Sequence, residues 1–138
     1  MKIISYQFEE STQSKWTFSK VELGKINLLV GDTGTGKTRF LNTIFSLGGI
    51  ATGSRPLASG SWKVNLEQDG FIYGWELEVE QIPPNKPLIK REYLWKESEQ
   101  GKISIVERNK SSFRFSGEEL PKLPRESTSI SLLKDEDK

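Results

Sequence analysis

The residues best suited to chemistry in this chain lie together in GDTGTGKT, residues 31–38, which satisfies the pattern G-x-x-x-x-G-K-[ST]. Glycines at 31, 34 and 36 allow backbone angles closed to other residues. They also let successive amides approach phosphate oxygens with no Cβ in the way. Lys37 can reach β- and γ-phosphate oxygens as a point charge, and the Thr38 hydroxyl can ligate Mg²⁺. Asp32, Thr33 and Thr35 complete the loop, and an acid as near to phosphate as Asp32 must point away or face water. Gly31, Asp32, Thr33, Gly34, Thr35, Gly36, Lys37 and Thr38 are therefore the predicted site for ATP with Mg²⁺, and Thr38 is the predicted metal ligand.

Such a loop works only where a strand delivers it and a helix receives it. Residues 25–30, KINLLV, form a short apolar run bounded by Gly24 and Gly31, the pattern of a central strand covered on both faces. After the loop, Phe40, Leu41, Ile44, Phe45 and Leu47 recur at helical spacing, and Gly48-Gly49 is the predicted stop. The helix start aims its amides and the positive end of its dipole at the loop.

Upstream, Ile4, Tyr6 and Phe8 alternate with polar residues and lead to a second run at 16–23, a predicted β-hairpin. Downstream, residues 48–61 read as a loop. Then Trp62, Val64 and Leu66 alternate with Lys63, Asn65 and Glu67, Asp69-Gly70 marks a tight turn, and Phe71, Tyr73, Trp75, Leu77 and Val79 return opposite Glu76, Glu78 and Glu80. Further runs at 88–96, 102–108 and 113–115 extend this into an antiparallel meander. The four Trp and most Phe and Tyr fall on the inward alternation, which assigns them to the core, with Trp16 a partial exception. The expected fold is α/β: a P-loop NTPase-like mixed sheet with an N-terminal β-hairpin, one phosphate-loop helix and an antiparallel β-meander.

The chain has 138 residues, enough for one domain with an ordinary core. It contains no Cys and no His, which excludes disulfide frameworks, thiol nucleophiles, Cys-based zinc sites and the commonest general base. A net charge of +1 carries no overall field for nucleic acid. Lys90, Arg91, Lys96, Arg108, Lys110 and Arg114 are candidates for a DNA-facing surface, but Glu92, Glu97 and Glu107 are interspersed, the pattern of a solvated face. The N-terminus lacks signal-peptide character and no apolar run is long enough to span a bilayer, so the expected compartment is the cytoplasm.

Hydrolysis asks for more than binding: a second acidic residue near Mg²⁺ and a group that orients water. The nearest acidic candidate is ISLLKDED at 130–137, whose apolar run is broken by Ser131 and Lys134. A partial match to a signature, FSGEE at 115–119, has Glu118 where an LSGGQ signature has its second Gly, and Pro121 and Pro124 interrupt the helix that should follow. A strand end and turn is the reading that suits it. The catalytic residues of hydrolysis are not identifiable in the chain.

With its opening strand MKIISYQF, the run KINLLVGDTGTGKTRFLNTIF and the later meander through REYLWKE and SIVERN, the chain resembles the N-terminal lobe of ABC-type ATPase heads of the RecF and SMC kind, including bacterial AAA-family ATPases with that head. The resemblance implies a single nucleotide-binding lobe over residues 1–138, belonging to a larger ATPase whose signature and second acidic motif lie in a C-terminal lobe. It implies a second ATPase head as partner, closing over the γ-phosphate, and places residues 14–16 near the adenine. Thr33 stands where such heads often have Asn. The alternatives are an AAA+ type or other P-loop ATPase fragment, or a non-enzymatic β-rich interaction module with a vestigial loop. A GTPase would carry N-K-x-D, and neither Asn85-Lys86 nor Asn109-Lys110 has the Asp, so ATP is expected over GTP.

Overall fold

A computed structural model of the chain describes residues 1–10, 17–32, 34, 36–83 and 85–133. Strands β1 (Lys2–Glu9), β2 (Thr17–Glu22), β3 (Gly60–Gln68), β4 (Phe71–Ile82), β5 (Lys86–Ser98), β6 (Gly101–Arg108), β7 (Phe113–Phe115) and β8 (Glu118–Leu120) build one sheet in the order β2-β1-β3-β4-β5-β6-β7-β8. Every neighbouring pair is antiparallel. Helices α1 (Lys37–Thr52) and α2 (Ser129–Leu133) complete the described elements. None of the described helices is long and apolar enough to cross a membrane.

Period-two alternation sets which face each strand buries. Trp62 and Val64 of β3 stand opposite Leu77 and Trp75 of β4, and with Tyr6, Phe8, Val79 and Ile89 they form the inner face. Leu47 and Ile50 of α1 pack onto it, joined by the half-buried Phe40 and Ile44. The edge of the Phe40 ring meets Tyr6, with centroids 6.0 Å apart at 87°. Asp69 and Gly70 both have positive φ, 52° and 81°, as the tight β3–β4 turn requires.

Tyr6 has no exposed surface, and burial pushes its phenol up to about 12, with Thr43 and Trp62 pulling weakly the other way. The fold favours the neutral phenol, so this contribution is complete below pH 10 and is lost as pH rises toward 12. Two pKa units correspond to about 2.7 kcal/mol. Urea unfolding from pH 8 to 11.5 is expected to show a fall in stability above pH 10 that is steeper than in Tyr6→Phe. Parallel pH profiles for the two proteins would refute this assignment.

The structure corrects the expected fold class. The described elements form an antiparallel sheet with two helices, not a mixed P-loop α/β sheet. Residues 25–30 form no strand, and all six are exposed, with Ile26 at 91 % and Leu28 at 86 %. A run of apolar side chains supplies surface to bury but says nothing about which edge it pairs with. Both edges of β1 are occupied, by β2 and β3, and residues 25–30 do not add to the outer edge of β2, the end strand of the sheet.

The helix also differs from its expected extent. It runs through Gly48 and Gly49 and ends at Gly53, whose φ of 73° makes the left-handed cap. Burial of Ile50, the residue directly after the predicted stop, holds the two glycines in helical conformation. The predicted loop at 48–61 is accordingly helical at its start and becomes β3 from Gly60.

Candidate functional site

The candidate site lies at the start of α1. Gly34 and Gly36 both adopt positive φ, 86° and 94°, and a Cβ added at Gly34 would meet nothing within 4 Å, so this backbone faces open space. Gly36 is the N-cap, in the left-handed region, and no side chain caps the helix. The first helical bond runs from the Phe40 amide to the Gly36 carbonyl at 2.8 Å, so the preceding amides emerge from the helix end. A glycine cap leaves that end without the hydroxyl or carboxylate that would otherwise compete with an anion.

Lys37, the first residue of α1, folds back over the loop. Its Nζ donates to the Gly31 carbonyl and, at 2.7 Å, to the Asp32 carbonyl. The ammonium is thus held at the N-terminal end of the loop. Thr38 is exposed, as are Gly31, Asp32 and Gly34, while Gly36 and Lys37 are half-buried. Arg39 forms an ion pair of 2.8 Å with Glu10, just beyond β1, which fastens the start of the helix to the sheet. Sequence reasoning missed this tie, because a separation of 29 residues leaves no local signal.

The structure therefore brings Gly31, Asp32, Gly34, Gly36, Lys37 and Thr38 together at a helix start, while Thr33 and Thr35 lie outside the described residues. It does not bring them there on a central strand. The first turn of α1 carries no acidic residue, and no group of three or more acidic side chains converges among the described residues. A Thr hydroxyl, helix-start amides and a lysine are groups that would hold a polyphosphate, with Thr38 the residue that would face its metal.

Other candidates fall elsewhere. Residues 130–133 of the acidic candidate lie in α2, which is a helix and not a strand, and 134–138 lie outside the described residues, as does Trp16. At the partial signature match, β7 ends at Phe115 and a turn follows in which Ser116 and Gly117 have φ of 51° and 83° before β8. The six basic candidates do not share a surface. Arg108 is buried at 3.5 Å from Glu92, Lys110 pairs with Glu80 at 2.9 Å, and Lys96 stands 3.6 Å over the Phe71 ring. The Lys110 and Arg125 partners hold the Glu80 carboxyl below its usual range, against some desolvation.

Glu92 and Arg108 form a pair that sequence reasoning also missed. Glu92 faces the inner side of β5, opposite Leu77, and its carboxylate accepts from the Trp75 indole at 3.1 Å and from the Ser129 amide at 2.9 Å. Arg108 donates to the Pro124 and Ser127 carbonyls, which draws the chain before α2 against the sheet. Burial holds the Arg108 guanidinium below its ordinary range, and Glu92 opposes that shift. This pair is architectural: it anchors α2.

Compared with family models, with curated proteins and with solved structures, the chain finds no match.

Proposed function

We propose that residues 31–38 bind the phosphates of ATP with Mg²⁺. The observation that carries this reading is the placement of the Lys37 ammonium across a loop opened by two left-handed glycines at an uncapped helix start. Helix amides and the dipole favour negative charge there, and Lys37 adds a charge-assisted contact. Thr38 supplies a hydroxyl toward Mg²⁺, and the metal's contribution is to neutralise phosphate charge. A cytoplasmic setting suits this ligand. By resemblance, the partner is a second ATPase head, and charge gives no independent argument for DNA.

Amide chemical shifts recorded during a MgATP titration test the reading. Saturable shifts are expected at Gly34, Gly36, Lys37 and Thr38. Phosphate release from the chain alone is expected to be negligible, because the first turn of α1 offers no second carboxylate, and groups that stabilise charge or position water carry factors of about a thousand in rate. Absence of shifts at millimolar MgATP would favour the second reading, a β-rich interaction module. The observation behind that reading is the exposure of Ile26, Leu28 and Val30. Fast release that is lost in Glu136→Gln would instead make the C-terminal acids catalytic.

A further inference from the structure

The sheet face opposite α1 holds a basin that the phosphate site does not use. Cross-strand pairing builds it in two adjacent rows. One row runs Ser5, Asn65, Gly74, Trp95 across β1, β3, β4 and β5, and the next runs Gln7, Lys63, Glu76. Because side chains alternate, these residues point away from the face that carries Tyr6, Val64 and Trp75. Lys20 of β2 and Lys102 of β6 close the ends, and this half-open hollow has a volume of about 360 Å³, in the lower range of small-molecule sites.

Gly74 makes the basin possible. A Cβ there would fall 2.0 Å from Cε2 of Trp95, so the missing side chain lets the indole lie across the β4 backbone as a floor. Lys102 stands over that indole, its Nζ 4.2 Å from the ring centroid. Trp95 is thereby covered on both sides, and the ligand meets polar groups instead of an open aromatic face.

Those groups lack partners that would satisfy them. Among the described residues no hydrogen bond engages the side chains of Ser5, Gln7 or Asn65. Lys63 and Lys20 have only exposed ion pairs, at 3.6 Å to Glu76 and 3.3 Å to Glu22, of the kind that contributes little. Three ammonium groups and one carboxylate, Glu76, line the basin, with Glu22 3.3 Å from Lys20 at its edge, and its amides and hydroxyl match a ligand rich in oxygen.

We propose that this basin binds a small hydroxylated anion of the sugar-phosphate class, with Lys20 and Lys63 at one end on the phosphate, Ser5, Gln7 and Asn65 on the hydroxyls, and Lys102 closing the far end over Trp95. The mixed charges around it, including Glu67, Glu78 and Glu107, suit a compact ligand better than a nucleic-acid strand.

Titrations of the whole chain at constant ionic strength with glucose 6-phosphate, glucose and inorganic phosphate, read on the Gln7 and Asn65 side-chain amides and the Trp95 indole N–H, test this. Glucose 6-phosphate is expected to shift all three with a Kd on the order of 1 mM, more tightly than phosphate, and glucose to shift none. Lys63→Ala and Asn65→Ala should each weaken it about tenfold. The proposal is overturned if no saturable shift occurs, if the variants bind as the wild type does, or if the shifts fall only on residues 31–38. Loss of MgATP binding in Lys37→Ala leaves this site unchanged, so the two assignments fail separately.

Discussion

Glu92→Ala is expected to destabilise the protein by about 3–5 kcal/mol, the largest effect expected of any single substitution named here. The carboxylate is fully buried, and its removal strands three groups at once. Arg108, with 3 % of its side chain exposed, keeps a charge without its counter-ion. The Trp75 indole and the Ser129 amide lose their acceptor in a place water does not reach, and a buried donor left unmade costs more than a made bond contributes. Because Arg108 and Ser129 tie the segment before α2 to the sheet, the variant should also expose residues 124–129 to protease before global unfolding. Replacing both charges, as in Glu92→Met with Arg108→Met, should recover much of the loss, since apolar packing can substitute for a buried pair. Urea denaturation of the wild type and both variants checks this. A loss under 1 kcal/mol in Glu92→Ala would show that the pair is not an anchor.

The same residue shows how far the sequence could be read. Alternation through β3 and β4 is unambiguous because large apolar and charged residues take strict turns and Asp69-Gly70 closes the hairpin, and these strands fall where the period places them. In β5 the charged residues Lys90, Arg91, Glu92 and Lys96 blur the pattern, and Glu92 reads as part of a solvated face. Counting by twos back from Leu94 would have put it inward, but only the register with Leu77 and the arrival of Ser129 show why a carboxylate can stay there.

Residues 25–30 failed in the opposite way. Their apolar character is plain, but strand formation depends on a neighbour's edge, and no local pattern encodes one. The loop that follows was legible in its glycines and lysine, because φ above zero and a helix cap are local properties. The basin on the outer face was not, since it comes from several strands and one absent Cβ at Gly74.

The second large effect concerns Lys37. Its ammonium already lies over the Gly31 and Asp32 carbonyls, so a phosphate entering the loop meets a charge in place and not one that must be recruited from solvent. A hydrogen bond to a charged group contributes about 1.5–3 kcal/mol, which converts to a roughly 10- to 100-fold change in affinity. Lys37 is half-buried and on the first turn, where alanine is a good helix former, so Lys37→Ala should fold normally. Calorimetric titration of MgATP into the wild type and into Lys37→Ala is therefore the most direct measurement of the central claim. One saturable site is expected in the wild type, and an affinity weaker by at least about tenfold in the variant. Equal affinities in the two proteins would contradict it.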